Sequence, residues 1–137
     1  MIYVTGDIHG EIDISKLNTQ NFSQAKAGDY LIVCGDFGLI WDMKPSRAEE
    51  YWMKWLSEKP WITLFVDGNH ENFDRLKNYP ITEECEYATD KEDITAFLEH
   101  ISHFVNYKQW YCGHYHMDFD DSESFHFLYQ TILKIDM

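Results

Sequence analysis

Residues 2–10, IYVTGDIHG, set a β-prone apolar run, IYVT, directly against a glycine and then two side chains able to hold a metal, Asp7 and His9. The same grammar recurs in YLIVC (30–34) before GDFG, in WITLFVD (61–67) before GNHE, and in WYC (110–112) before GHYH. Continuous apolar runs without clean alternation read as strands buried on both faces, the habit of parallel sheets covered by helices. The sequence therefore predicts an α/β fold, a mostly parallel sheet with flanking helices.

Helical signals lie between the runs. Ser46 with Glu49 forms a capping-box pattern, after which Ala48, Tyr51, Trp52, Trp55 and Leu56 fall on one face until Pro60, so these tryptophans read as core. Thr89 with Glu92 repeats the pattern ahead of Ile94, Phe97, Leu98, Ile101, Phe104 and Val105, which predicts a helix over 90–105. Asn72 to Tyr79 reads as a short helix ended by Pro80, and Asp13 to Phe22 as a weaker one. The predicted order is β-α-β-α-β-α-α-β. After GHYH, Asp118 to Glu123 reads as a solvated turn, and FHFLYQTILKI (125–135) as one long or two short closing strands.

With 137 residues, 45% hydrophobic and 17% aromatic, the chain has material for one compact domain over 1–137. Its formal net charge of −13 opposes contact with a phosphate backbone, so no stable nucleic-acid binding is expected. Three cysteines, Cys34, Cys85 and Cys112, are odd in number and lack CxxC spacing, which fits reduced thiols in the cytoplasm. No apolar run approaches the ~18 residues of a membrane span, and MIYVTGDIHG lacks the pattern of an export signal, so no membrane is expected as a partner.

In a sheet of βα units the loops after parallel strands gather on one edge, where such folds bind ligands. The four motifs would then converge, delivering Asp7, His9, Asp36, Asn69, His70, His114 and His116. This mixed oxygen and nitrogen set suits Mn, Fe, Zn or Co rather than Ca or Mg alone. The glycines ahead of the ligands, Gly6, Gly35, Gly68 and Gly113, permit the close backbone approach that such a cluster needs. Each motif alone is a common cap or turn; four at predicted strand ends are not.

GDIHG, the GD of GDFG, GNHE and GHYH resemble the ordered motifs of the calcineurin-like metallophosphoesterase superfamily, over about residues 1–80 and 106–117. The resemblance implies an α/β sandwich, here truncated, and two divalent metals. Asp7, His9 and His116 would hold one metal, Asp36 would bridge, and Asn69 with His114 would help hold the second. It implies a metal-dependent phosphoesterase, a hydrolase that cleaves phosphate mono- or diesters by a metal-bound hydroxide. In such chemistry paired cations lower the pKa of a water and neutralise the phosphoryl oxygens. His70 would donate the proton to the leaving alkoxide, with Glu71 orienting it.

The chain also departs from the family. A further motif histidine, expected between GNHE and GHYH, is absent: His100 and His103 lie inside the predicted helix, and His126 lies in a closing strand. The interval after Pro80 is short, so the chain reads as internally shortened, with much of the second sheet missing. The Asp-Arg-Gly signature of Ser/Thr phosphatases is replaced by GDFGLIWD, and only Arg47 and Arg75 could clamp a phosphate. The alternative is therefore a catalytically inactive metal-binding or interaction domain. A nucleotide-binding domain fits less well, because neither GxGxxG nor GxxxxGKS is present. Strands this apolar with little to cover them point to a second copy of the chain as a partner.

Overall fold

The computed structural model describes residues 1–80, 108–120 and 124–135. Strands β1 (Ile2–Thr5), β2 (Tyr30–Cys34) and β3 (Ile62–Val66) follow three of the apolar runs. They pair in parallel in the order β3-β2-β1, and β7 (Ile132–Ile135) closes the other edge of β1 antiparallel. The remaining strands, β4 (Trp110–Cys112), β5 (Phe119–Asp120) and β6 (Phe125–Phe127), form a separate sheet in the order β4-β6-β5. The fourth motif thus leaves a different sheet from the other three, because β7 takes the edge of β1 and WYC pairs with β6 instead. The closing stretch makes two short strands rather than one, and Phe119 and Asp120 add a strand where the sequence predicts only a turn.

Helix α1 (Arg47–Ser57) starts where the capping pattern places it, with Ser46 Oγ accepting from the Glu49 amide at 3.1 Å. The box is only half closed. Glu49 turns instead to Arg75, which donates from both guanidinium nitrogens at 2.8 and 2.6 Å, so this arginine is not free to clamp a phosphate. Leu56 is buried and Trp52 and Trp55 pack against the core, but Tyr51 lies outside it, exposed. Helix α2 (Phe73–Leu76) is shorter than predicted, capped by Asn72 accepting from the Arg75 amide. Over Asp13 to Phe22 only a 3-10 turn, Ile14–Leu17, forms. Asn18 Oδ1 accepts from the amides of Gln20 and Asn21, and this local alternative ends the helix. The helix predicted over 90–105 lies outside the described residues.

The core gathers Tyr3, Ile8, Ile14, Leu17, Phe22, Leu31, Val33, Phe37, Leu56 and Trp61 under the parallel sheet. Double coverage fits β1 and not β3. Ile62, Leu64 and Val66 alternate along β3, so they share one face of the sheet, and they are exposed there. Among the described residues no helix is long and apolar enough to cross a membrane.

Candidate metal centre

The loops after β1 and β2 are stitched backbone to backbone. The amides of Ile8 and His9 both donate to the Asp36 carbonyl at 3.0 Å, and the Gly10 amide donates to Phe37 at 2.9 Å. This zipper brings the carboxylates of Asp7 and Asp36 side by side, 0% and 1% exposed. The chain after β6 passes tightly beneath: a Cβ on Gly6 would stand 1.8 Å from the Leu128 carbonyl oxygen. The third loop arrives equally close, since a Cβ on Gly68 would fall 2.0 Å from Asp36 Oδ1. In the fourth, a Cβ on Gly113 would meet the Cys34 carbonyl at 1.9 Å and Asp7 Oδ1 at 2.6 Å. The motif glycines are therefore required by approach distance.

One ligand atom from each of Asp7, His9, Asp36 and His116 lies within 4.8 Å of the others. His9 Nε2 is 3.6 Å from Asp36 Oδ2, and His116 Nε2 is 3.6 Å from Asp7 Oδ2. The His9 ring stands edge-on between His70 and His116, with centroids 5.1 and 4.6 Å away. Among the described residues, His9, Asp36, His114 and His116 are the non-glycine residues with positive φ, at 46°, 25°, 74° and 49°. Such backbone costs about 1–3 kcal/mol per residue and persists only where the surroundings over-determine it. Here the strain falls on the motif residues.

The other predicted site residues take different places. His70 donates its amide to Asp36 Oδ1 at 3.1 Å, and its Nδ1 lies 2.9 Å from Asp36 Oδ2. Asn69 is exposed, with its amide nitrogen 3.3 Å from His70 Nδ1. The exposed His114 stands outside the cluster of four; its backbone amide donates to both Asp7 oxygens at 3.0 and 2.8 Å. Glu71 is buried, and its carboxylate accepts from the Gly38 amide at 2.5 Å and the Gly68 amide at 2.6 Å, so it braces two loops rather than meeting the His70 ring. His126 is remote from the cluster, stacked on Tyr111 and paired with Asp120. His100 and His103 lie outside the described residues.

The charge pattern follows from burial. Asp7 is held above the usual carboxylate range by desolvation and by the neighbouring Asp36, against the lowering pull of the His114 amide. Burial also pushes Asp36 up, but its two hydrogen bonds from His70 more than reverse this. Glu71 stays raised because burial outweighs the two amides it accepts.

Sequence reading missed Lys16. The residue is 8% exposed, and its ammonium donates to the carbonyls of Gly6 (3.0 Å), Asp7 (2.6 Å) and Tyr129 (2.6 Å), which ties the first motif to the chain entering β7. Burial lowers its pKa to about 8, and three carbonyl acceptors match the three protons of the charged form. No periodicity marks a lysine in IDISKL as buried. Tyr129, which stacks on His116 at 5.2 Å, is equally unmarked.

The family model described as calcineurin-like phosphoesterase matches residues 1–132. The chain belongs to the calcineurin-like phosphoesterase family. No curated protein and no solved structure matches it. Members of this family are in general metal-dependent phosphoester hydrolases, and the cluster of Asp7, His9, Asp36 and His116 is a candidate metal-binding site of that kind.

A test of fit comes from the donors themselves. His9 Nε2 is buried with no hydrogen-bond partner, beside two buried carboxylates that repel each other. An orphaned buried nitrogen beside two close buried carboxylates is costly unless a cation shares them. The residues fit a divalent metal.

Proposed function

We propose that this calcineurin-like phosphoesterase hydrolyses phosphate mono- or diesters with two divalent ions drawn from Mn, Fe, Zn or Co. The observation that carries the reading is the unpartnered, buried Nε2 of His9 facing Asp7, Asp36 and His116. In this reading Asp7, His9, Asp36 and His116 would hold one ion, and Asp36, Asn69 and His114 would contribute to a second. When bound, such ions supply Lewis-acid charge to the phosphoryl oxygens and lower the pKa of water.

The chain's own groups do the rest. The His114 amide, bonded to both oxygens of Asp7, fixes the plane of that carboxylate. Asp36 accepts from Nδ1 of His70, so in the imidazolium form the Nε2 proton is the one free to pass to the departing oxygen. Glu71 keeps the Gly38 and Gly68 loops at fixed separation and so holds His70 in register with Asp36.

Manganese-dependent hydrolysis of p-nitrophenyl phosphate and bis-p-nitrophenyl phosphate by the full chain, compared with Asp36→Asn, tests the reading. The variant is expected to lose at least about a hundredfold in kcat/KM, since more than a supporting contact is removed. Manganese bound by the unmodified chain without turnover of either ester would overturn it in favour of an inactive metal-binding domain, the alternative supported by the exposed His114 standing outside the cluster. We further propose that a second copy covers the exposed Ile62, Leu64 and Val66 of β3. Light scattering at micromolar concentration is expected to give a dimer, and a monomer would refute it.

A further inference from the structure

Beside the cluster lies a cleft of about 400 Å³, within the size range of small-molecule sites. Its lining includes His9 and His70 from the cluster, the apolar Leu39, Trp41 and Trp52, and the acidic Glu11 and Asp42. Trp41 is 53% exposed, although burying a side chain of its size would stabilise the fold more than most. Its ring centroid sits 5.5 Å from that of His70.

The backbone around this indole is held by design of the neighbouring loop. Asn72 donates from its amide to the Ile40 carbonyl at 2.7 Å and from its side chain to the Trp41 carbonyl at 3.1 Å. Arg75 donates to the Asp42 carbonyl at 2.9 Å while it also pairs with the buried Glu49. Three consecutive carbonyls, 40 to 42, are thereby pinned from α2. On the far side Trp52 Nε1 reaches Glu11 Oε2 at 3.5 Å, which fixes the second indole against the first loop. A large apolar ring kept exposed on a pinned segment beside a histidine is explained by binding and not by packing.

We infer that this cleft is the leaving-group subsite, and that the substrate is a phosphoester whose leaving alcohol bears a flat aromatic ring without further phosphates. The inference rests on the phosphoesterase reading above, since it takes the cleft shared with His70 as the side from which the alcohol departs. The reaction balances: the oxygen of a water bonds to phosphorus and gives up one proton to solvent, the bond from phosphorus to the alcohol oxygen breaks, that oxygen takes the proton held by His70, and His70 regains a proton from solvent. The ring stacks on Trp41, an attraction open to any aromatic face. Among the described residues the cleft lining contains no lysine or arginine, while Glu11 and Asp42 add negative charge, so a leaving group carrying its own phosphate is repelled and one bearing hydrogen-bond donors is favoured. A nucleoside and a simple phenol share this chemistry.

Adenosine, phenol and ribose, titrated separately into the full chain, separate those sources by the indole N–H resonances. Adenosine is expected to shift the signals of Trp41 and Trp52 and leave those of Trp55, Trp61 and Trp110 in place. Phenol acting alone would assign the site to simple aryl esters, stronger adenosine shifts would assign it to nucleoside esters, and ribose is expected to do nothing. In Trp41→Ala the ratio of kcat/KM for phenyl phosphate to that for methyl phosphate, measured with manganese, is expected to fall about tenfold, the scale of one stacking contact, and Trp41→Phe is expected to restore most of it. An unchanged ratio, or no shift of Trp41 with either ring compound, overturns the inference while leaving the phosphoesterase reading intact. Loss of turnover on every ester, with the Trp41 shifts present, overturns that reading instead.

Discussion

The loops after β1 and β2 and the loop after β4 bring candidate ligands to one point by different means. The first pair leave adjacent parallel strands and are bonded amide to carbonyl, so Asp7 and Asp36 sit fully inside the protein and the His9 side chain is 11% exposed. The loop after β4 comes from the second sheet and reaches the first through the His114 amide on Asp7, and the His116 side chain it delivers is 51% exposed. Each half also has one carboxylate that gathers backbone amides. Buried Glu71 braces the first half, and exposed Asp118, which accepts from Tyr129 (2.9 Å), Gln130 (3.1 Å) and Thr131 (2.9 Å), braces the turn behind the second. Burial raises both and is the largest single influence on each, yet Asp118 is lowered because its hydrogen bonds from Tyr129, Thr131 and Gln130 together outweigh it, whereas Glu71 remains raised. The lesson is that one half is preorganised by burial and the other by a few bonds at the surface.

The comparison breaks hardest at Gly68. A methyl there would meet Asp36 Oδ1 at 2.0 Å and the Asp36 amide nitrogen at 2.6 Å, so Gly68→Ala is expected to destabilise by about 3 kcal/mol, the upper end of overpacking. Gly28→Ala is the control, since nothing lies within 4 Å and only its φ of +89° opposes the methyl; about 1 kcal/mol is expected. Denaturant titration measures both, and equal losses would remove the case for close approach at the site.

Metal affinity sharpens the same contrast. His9→Ala removes a buried ligand from the stitched half and is expected to weaken manganese binding about a hundredfold, whereas His116→Ala, at the exposed end where water can substitute, is expected to cost about tenfold. Calorimetric titration decides, and a larger loss at His116 would mean that the second sheet, not the first, dominates the site.

The two braces differ by less. Glu71→Gln turns one acceptor into a donor facing the Gly38 or Gly68 amide and is expected to cost about 2 kcal/mol of stability. Asp118→Ala opens its three amides to nearby water, so about 1 kcal/mol is expected. Thermal melts of both variants test the order, and a reversal would place the rigid half around the second sheet.

The four strand-glycine-ligand units were legible in the sequence, because a buried strand end, a glycine and a polar turn are each written in local residue types. The start of α1 at Ser46 was legible for the same reason, as a cap is a contact between residues three apart. Membership in the calcineurin-like phosphoesterase family followed from those motifs in order. Tertiary structure decided the rest: that WYC joins a second sheet, that Glu71 braces two loops, that Lys16 is buried under the first motif, and that Trp41 faces a cleft. Each depends on a partner far along the chain, such as Tyr129 for Lys16 and Asn72 for the segment of Trp41. A residue type records what its side chain can do, whereas burial and long-range hydrogen bonding are set by which distant backbone passes beside it.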